Sequence, residues 1–179
     1  MKYNTSEISN ILHNGDSFTK ISILSSLSES TDPEIIIEII SALDDKEIRV
    51  RGEAFSSLFL NFNDVSEVLI SSLTSESKNI RGFCALILAN RGNTNSINSL
   101  INLTKDTSGM VRSCAFGALG HLRAKKASKE IHNCIFDTNI EVKKSAAYAT
   151  ILIGEKFSEE EKKELKKYDD SDFEKILRY

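Results

Sequence analysis

Val111-Arg112-Ser113-Cys114-Ala115-Phe116-Gly117-Ala118-Leu119-Gly120-His121-Leu122 is the stretch on which the fold turns. Val111, Ala115, Ala118, Leu119 and Leu122 recur at three and four, the spacing of one helix face. The interleaved small residues would let a neighbouring helix approach closely. Outward from this stretch, the same head returns every 30 or 31 positions, with bases at Lys20, Arg51, Arg81, Arg112 and Lys143. The residue before each base is Thr19, Val50, Ile80, Val111 or Val142, and the third after it is Ile23, Ala54, Cys84, Ala115 or Ala146. A period of that size denotes stacked supersecondary units rather than one closed core.

Each unit reads as two helices. Pro33 follows Asp32, a proline at the first helical position behind a capping carboxylate, and Ile35, Ile36, Ile39, Ile40 and Leu43 then mark one face. Asp44 to Glu47 break the pattern, and Val50, Ala54, Phe55, Leu58 and Phe59 give the partner helix. Equivalent pairs are expected at 65–73 with 79–90, 96–103 with 110–122, and 127–136 with 140–153, and a poorer first pair at 5–12 with 17–27. No alternating β-branched run suggests a strand. The expected organisation is an all-α repeat region over 1–154, in units near 1–30, 31–63, 64–93, 94–123 and 124–154, followed by a charged helical segment at 155–179.

Composition sets further bounds. A net charge of −3 and a pI near 5.7 give no global attraction for nucleic acid or an anionic membrane, so neither is an expected partner. No apolar run approaches the ~20 residues of a membrane span. Met1 to Asn10 lacks the apolar core of a signal peptide, and Cys84, Cys114 and Cys134 are odd in number and widely spaced, so a reducing, cytoplasmic setting is expected. Asn4-Thr5-Ser6 and Asn102-Leu103-Thr104 match the glycosylation triplet, but with no secretory signal they read as chance.

The segment from Val111 to Leu122 resembles the second helix of the short HEAT-like repeat of phycobilisome-lyase-type proteins, whose pattern is Val-Arg, a small residue three on, then Ala-Leu-Gly. Leu103 and Asp106 supply the preceding Leu-x-x-Asp, and the resemblance covers about 32–154 in four units, with Ser75 where the pattern wants Asp. It implies a right-handed α-solenoid, a HEAT-like superhelix of about five antiparallel helix pairs closed by a C-terminal helical cap. Function is less constrained, because such repeats serve many unrelated roles.

Asp45/Arg51, Asp106/Arg112 and Asp137/Lys143, each six apart, could be read as a catalytic carboxylate and its base partner. Recurrence in every unit points instead to a stacking device. The resemblance implies an acid–base ladder between successive units that also takes in Arg81, and Asp106 and Arg112 are expected to share one interaction. No metal or other cofactor is expected. His132 and Cys134 would point about 200° apart on a helix, no paired zinc spacing occurs, and no Gly-rich loop follows a strand. His-Glu dipeptides, known in iron-binding HEAT-type hydroxylases, are absent, as is the basic aromatic groove of HEAT-like glycosylases.

In solenoids of the resembling kind the second helices line the concave side. Positions one, five and nine after the base then face outward: Gly52, Ser56 and Leu60; Gly82, Leu86 and Asn90; Ser113, Gly117 and His121; Lys144, Tyr148 and Leu152. With Phe83 flanking, Phe83, Leu86, Asn90, His121, Tyr148 and Leu152 are the candidate partner-binding residues on a floor of small side chains, a composition suited to a protein or peptide. The bland alternative is that Phe83, Leu86 and Leu152 are core. The expected function is a non-catalytic interaction scaffold; the alternative is an enzyme or enzyme subunit of the bilin-lyase type. Over 155–179, nine acids and seven bases accompany a thin apolar stripe, and Ser158 with Glu161 and Ser171 with Glu174 fit capping boxes. A cap over the last repeat, or a detachable tail, is expected there.

Overall fold

The computed structural model describes residues 4–178. Among them every regular element is helical. Residues up to Ile87 cluster into one compact unit and those from Leu88 into a second, with one helix running across the boundary.

The first unit holds α1 (Thr5–Asn14), α2 (Ser17–Ser26), α3 (Pro33–Ser41), α4 (Ile48–Leu60), α5 (Ser66–Ser71) and most of α6 (Lys78–Asn90). Asn4, part of a glycosylation triplet in sequence, caps α1: its side chain accepts from the Glu7 amide, and the Glu7 carboxylate accepts from the Asn4 amide, both at 2.9 Å. Asp32 caps α3 ahead of Pro33, and the isoleucine face at Ile35, Ile36, Ile39 and Ile40 is buried. Ser57 and Asn61 of the α4 end reach back to the carbonyls of Leu24 and Ser30 at 3.0 and 2.8 Å, which satisfies buried polar groups beside the α2–α4 contact.

The second unit continues with α7 (Ile97–Leu103), α8 (Gly109–His121), α9 (Ser128–Asn133), α10 (Ile140–Leu152), α11 (Glu159–Leu165) and α12 (Ser171–Ile176). Val111, Ala115, Phe116, Leu119, Val142, Ala146 and Ile153 are buried, each large side chain contributing ~1.5–3 kcal/mol. Gly120 is required by packing, because a Cβ there would lie 2.9 Å from Ala149 Cα. α10 ends at Gly154 (φ +81°), where the amides of Gly154 and Glu155 bond to the carbonyls of Ile151 and Thr150, a left-handed glycine stop.

One local device starts α4, α6, α8 and α10. The first helix closes in a tight turn, and Asp45, Ser75, Asp106 or Asp137 follows. A side-chain oxygen of that residue accepts the amide two residues on, at 2.8 Å for the three aspartates and 3.2 Å for Ser75. Its carbonyl then receives the guanidinium six residues on: Arg51 at 2.7 Å, Arg81 at 2.7 Å and Arg112 at 2.9 Å.

Candidate partner-binding faces and the charge ladder

The charged ends of Lys20, Arg112 and Lys143 meet a carboxylate of the helices that follow. Lys20 Nζ lies 2.6 Å from Asp45 Oδ2, with both side chains largely buried. Arg112 donates from Nε and Nη2 to the two carboxylate oxygens of Asp137, at 2.9 Å each. Lys143 Nζ lies 2.6 Å from Glu164 on α11 and 5.3 Å from the Tyr168 ring centroid. The expected pairing of Arg112 with the Asp106 side chain is corrected: Arg112 takes the Asp106 carbonyl, and its carboxylate partner is Asp137, 25 residues on. A side chain at the start of α8 reaches the turn before α10 laterally, whereas the acid six residues back has its carboxylate tied into its own turn. The guanidinium beside Asp137 holds that carboxyl below its ordinary value against the cost of burial. Arg51 has no ion pair among the described residues.

The segment after 154 is packed on the second unit. Leu165, Phe173 and Ile176 are buried. His132 Nδ1 lies 2.6 Å from Glu161 and Nε2 2.9 Å from Glu155, whose carboxylate also accepts from Ser128 at 2.7 Å. Lys144 is ion-paired with Asp170 at 2.7 Å and with Asp172 at 3.5 Å, so this member of the outward columns is covered by the α12 turn. The capping box at Ser158 and Glu161 is formed. The one expected at Ser171 is not: Asp170 caps α12 by accepting the Asp172 amide, and Ser171 is the first helical residue.

The outward columns are otherwise largely open. Gly52, Gly117, His121 and Asn90 are exposed, Leu60 is 69% exposed, Tyr148 43% and Leu152 39%. A Cβ at Gly52 or Gly117 would meet nothing within 4 Å, so packing does not demand either glycine. Leu86 is half-buried and Gly82 buried. Phe83 is half-buried with its ring edge-on to Phe55 at 6.3 Å, so aromatic packing within the first unit claims part of its surface.

Sequence reasoning passed over a cleft of 460 Å³ between α2 and α4, lined by Phe18, Ile21, Ser22, Ser25, Ser26 and Glu53. The signal was present in the repeat columns. Phe18 stands two before the base, where other units carry Arg49, Asn79, Met110 and Glu141; Glu53 stands two after, where they carry Ser22, Phe83, Cys114 and Ser145. Burial pushes the thiols of Cys84, Cys114 and Cys134 up to about 12, 11 and 11, which keeps them protonated and poorly nucleophilic near neutrality. Among the described residues no cluster of His, Cys, Asp and Glu is arranged to hold a metal, and no helix is long and apolar enough to cross a membrane.

These features define an all-α repeat protein of the α-solenoid class. Residues 66–150 match the HEAT repeats family. No curated protein sequence matches the chain. Among solved structures, an engineered protein aligns with TM-score 0.55 and 20% identity, over 98% of this chain and 94% of its own. The complex of CpcE and CpcF of phycocyanin lyase from Nostoc sp. PCC7120 aligns with TM-score 0.60 and 17% identity, over 99% and 75%. A designed armadillo repeat protein in complex with the peptide (KR)4 aligns with TM-score 0.52 and 17% identity, over 98% and 97%. At such identities the likeness is one of fold.

Proposed function

We propose that the chain is a non-catalytic interaction scaffold that holds a protein or peptide on the outward columns of its second helices. The observation that carries this reading is the α8–α10 face of the second unit. Tyr148 and Leu152 stand exposed there beside His121, on a floor left low by Gly117, whose smallness no packing contact requires. Asn90 adds an exposed amide to the α6 column, and Leu86 and Phe83 offer the half-buried part of the same pattern in the first unit. Exposed aromatic and aliphatic anchors among small neighbours are what interface hot spots use. Two of the similar folds are known in complexes, one with a second lyase subunit and one with a peptide, which supports a binding role.

The test pairs affinity with stability for a partner once it has been isolated. Tyr148→Ala and Leu152→Ala are expected to weaken partner binding by ~1–2 kcal/mol each while leaving the melting temperature nearly unchanged. Gly117→Leu adds bulk where there is open space and improves helix propensity, so it should block binding and leave the fold at least as stable. A fall in melting temperature with all three changes, or unaltered binding, would return these residues to a structural role.

A further inference from the structure

We infer that the cleft between α2 and α4 seats a cationic side chain, an arginine or lysine presented by a basic peptide segment of the partner. This rests on the scaffold reading, since Ile21 and Ser25 stand one and five after Lys20, the first helix pair's members of the same outward columns, and it specifies the partner's chemistry. Three observations carry it. Glu53 is half-buried on the cleft wall, and its carboxylate has no hydrogen bond or ion pair among the described residues, whereas the ladder acids Asp45 and Asp137 are both paired. A carboxylate is an acceptor only, so a ligand that displaces the water around Glu53 must bring N–H donors, and a cationic donor makes the stronger bond while an anionic ligand is repelled.

The other walls suit the rest of such a side chain. Ile21 provides apolar surface along which a methylene stem can lie, and Phe18, 83% exposed, offers a ring face to a guanidinium or ammonium. Ser22 and Ser25 supply hydroxyls that adapt to either donor set, while Ser26 Oγ is already bound to the Ile23 carbonyl at 2.7 Å. The cleft is shallow and open to solvent, with room along its 460 Å³ for one long side chain to lie against α2. No other repeat has this set, because Phe18 is the single ring in the column two before the base and Glu53 the single charge in the column two after it.

The experiment uses the full chain and fluorescein-labelled octapeptides read by anisotropy: one alternating Lys-Arg, one alternating Ser-Gln. The basic peptide should bind and the neutral one should not. Glu53→Gln should raise the dissociation constant about tenfold and Phe18→Ala several-fold, with melting temperatures unchanged. Glu67→Gln, an equal loss of charge at an exposed position on α5, should alter it by less than about twofold. Equal weakening by Glu53→Gln and Glu67→Gln would mean diffuse attraction to an acidic chain and would overturn the assignment, as would tight binding of the neutral peptide or no binding of the basic one. If the basic peptide fails while an isolated partner still depends on Tyr148 and Leu152, the cationic seat falls and the scaffold reading stands.

Discussion

The two compact units use one ladder with different completeness. In the second, Arg112 meets Asp137 and Lys143 meets Glu164, so each rung hands on to the next until the C-terminal helices receive the last cation. In the first, Lys20 meets Asp45, but Arg51 ends on backbone carbonyls, because the following turn carries Ser75. The difference separates two tasks that an aspartate performs together. Its side chain accepts the amide that starts the second helix, and its charge joins one helix pair to the one before. Ser75 keeps the first and abandons the second. The helix ends differ in the same sense: α10 stops on a left-handed glycine, whereas α4 runs out into an extended Asn61, with Leu60 and Phe62 left in solvent.

The severest way to break the contrast is to delete 155–179. The change removes Glu164 from Lys143, whose side chain is 3% exposed, and uncovers the apolar surface beneath Leu165, Phe173 and Ile176. Lys143 loses Glu164 and the Tyr168 ring but gains water in their place, so the larger cost is the bared apolar end, which is an adhesive surface. Light scattering and thermal melts should show self-association and a collapsed transition. A monomer of unchanged stability would make the segment a free tail.

Next in size is the Arg112–Asp137 rung. Arg112→Ala should destabilise by ~2–3 kcal/mol, and a double-mutant cycle with Asp137→Asn, which keeps a side-chain acceptor for the Asn139 amide, should return a coupling of ~1–2 kcal/mol. The cycle of Arg112→Ala with Asp106→Ala should be nearly additive, since the bond between them uses the Asp106 carbonyl. Denaturant melts decide between them. Coupling to Asp106 rather than Asp137 would refute the lateral ladder.

A smaller change sharpens the comparison by repairing the gap. Ser75→Asp retains the turn acceptor and places a carboxylate in the register that Asp45 offers Lys20, so it should stabilise the chain by ~0.5–1 kcal/mol. Arg51→Ala in that background should then cost more than in the parent. If Ser75→Asp is neutral in both backgrounds, the missing rung is not a defect.

The helical units, their 30 to 31 residue period and the small-residue contacts were legible in sequence because each repeats, so several columns testify to one geometry. Ala115 and Ile35 are instances where spacing identified a buried residue. The partner of Arg112 was not legible that way: six residues back and 25 residues on are both aspartate, and only the direction of the side chain across the helix pair separates them. The α2–α4 cleft escaped for the opposite reason. Phe18 and Glu53 break their columns, and reading for the repeat discards what occurs once. The partners of His132 are not legible from its sequence neighbours, because its two carboxylates come from beyond the last repeat.

That histidine gives the smallest and most selective test of how the second unit is closed. Burial opposes its charge, but Glu161 and Glu155 on either ring nitrogen outweigh that cost and raise its pKa above the ordinary 6.5. A raised folded-state pKa means that the folded form holds the proton more tightly than the unfolded chain. The resulting stability is fully present below pH 6.5 and is lost as pH climbs through the raised folded value. Glu155, held low chiefly by the Ser128 hydroxyl and then by His132, acts in the opposite direction, and its share fades only as pH falls below 4.5. From pH 6.5 upward, through the raised folded value, the parent should therefore lose stability that His132→Gln, already weaker, does not lose, so their melting curves converge on the alkaline side. The convergence should be absent when 155–179 is deleted, because both carboxylates lie in that segment. Parallel curves across the range would show that His132 does not hold the C-terminal helices by charge.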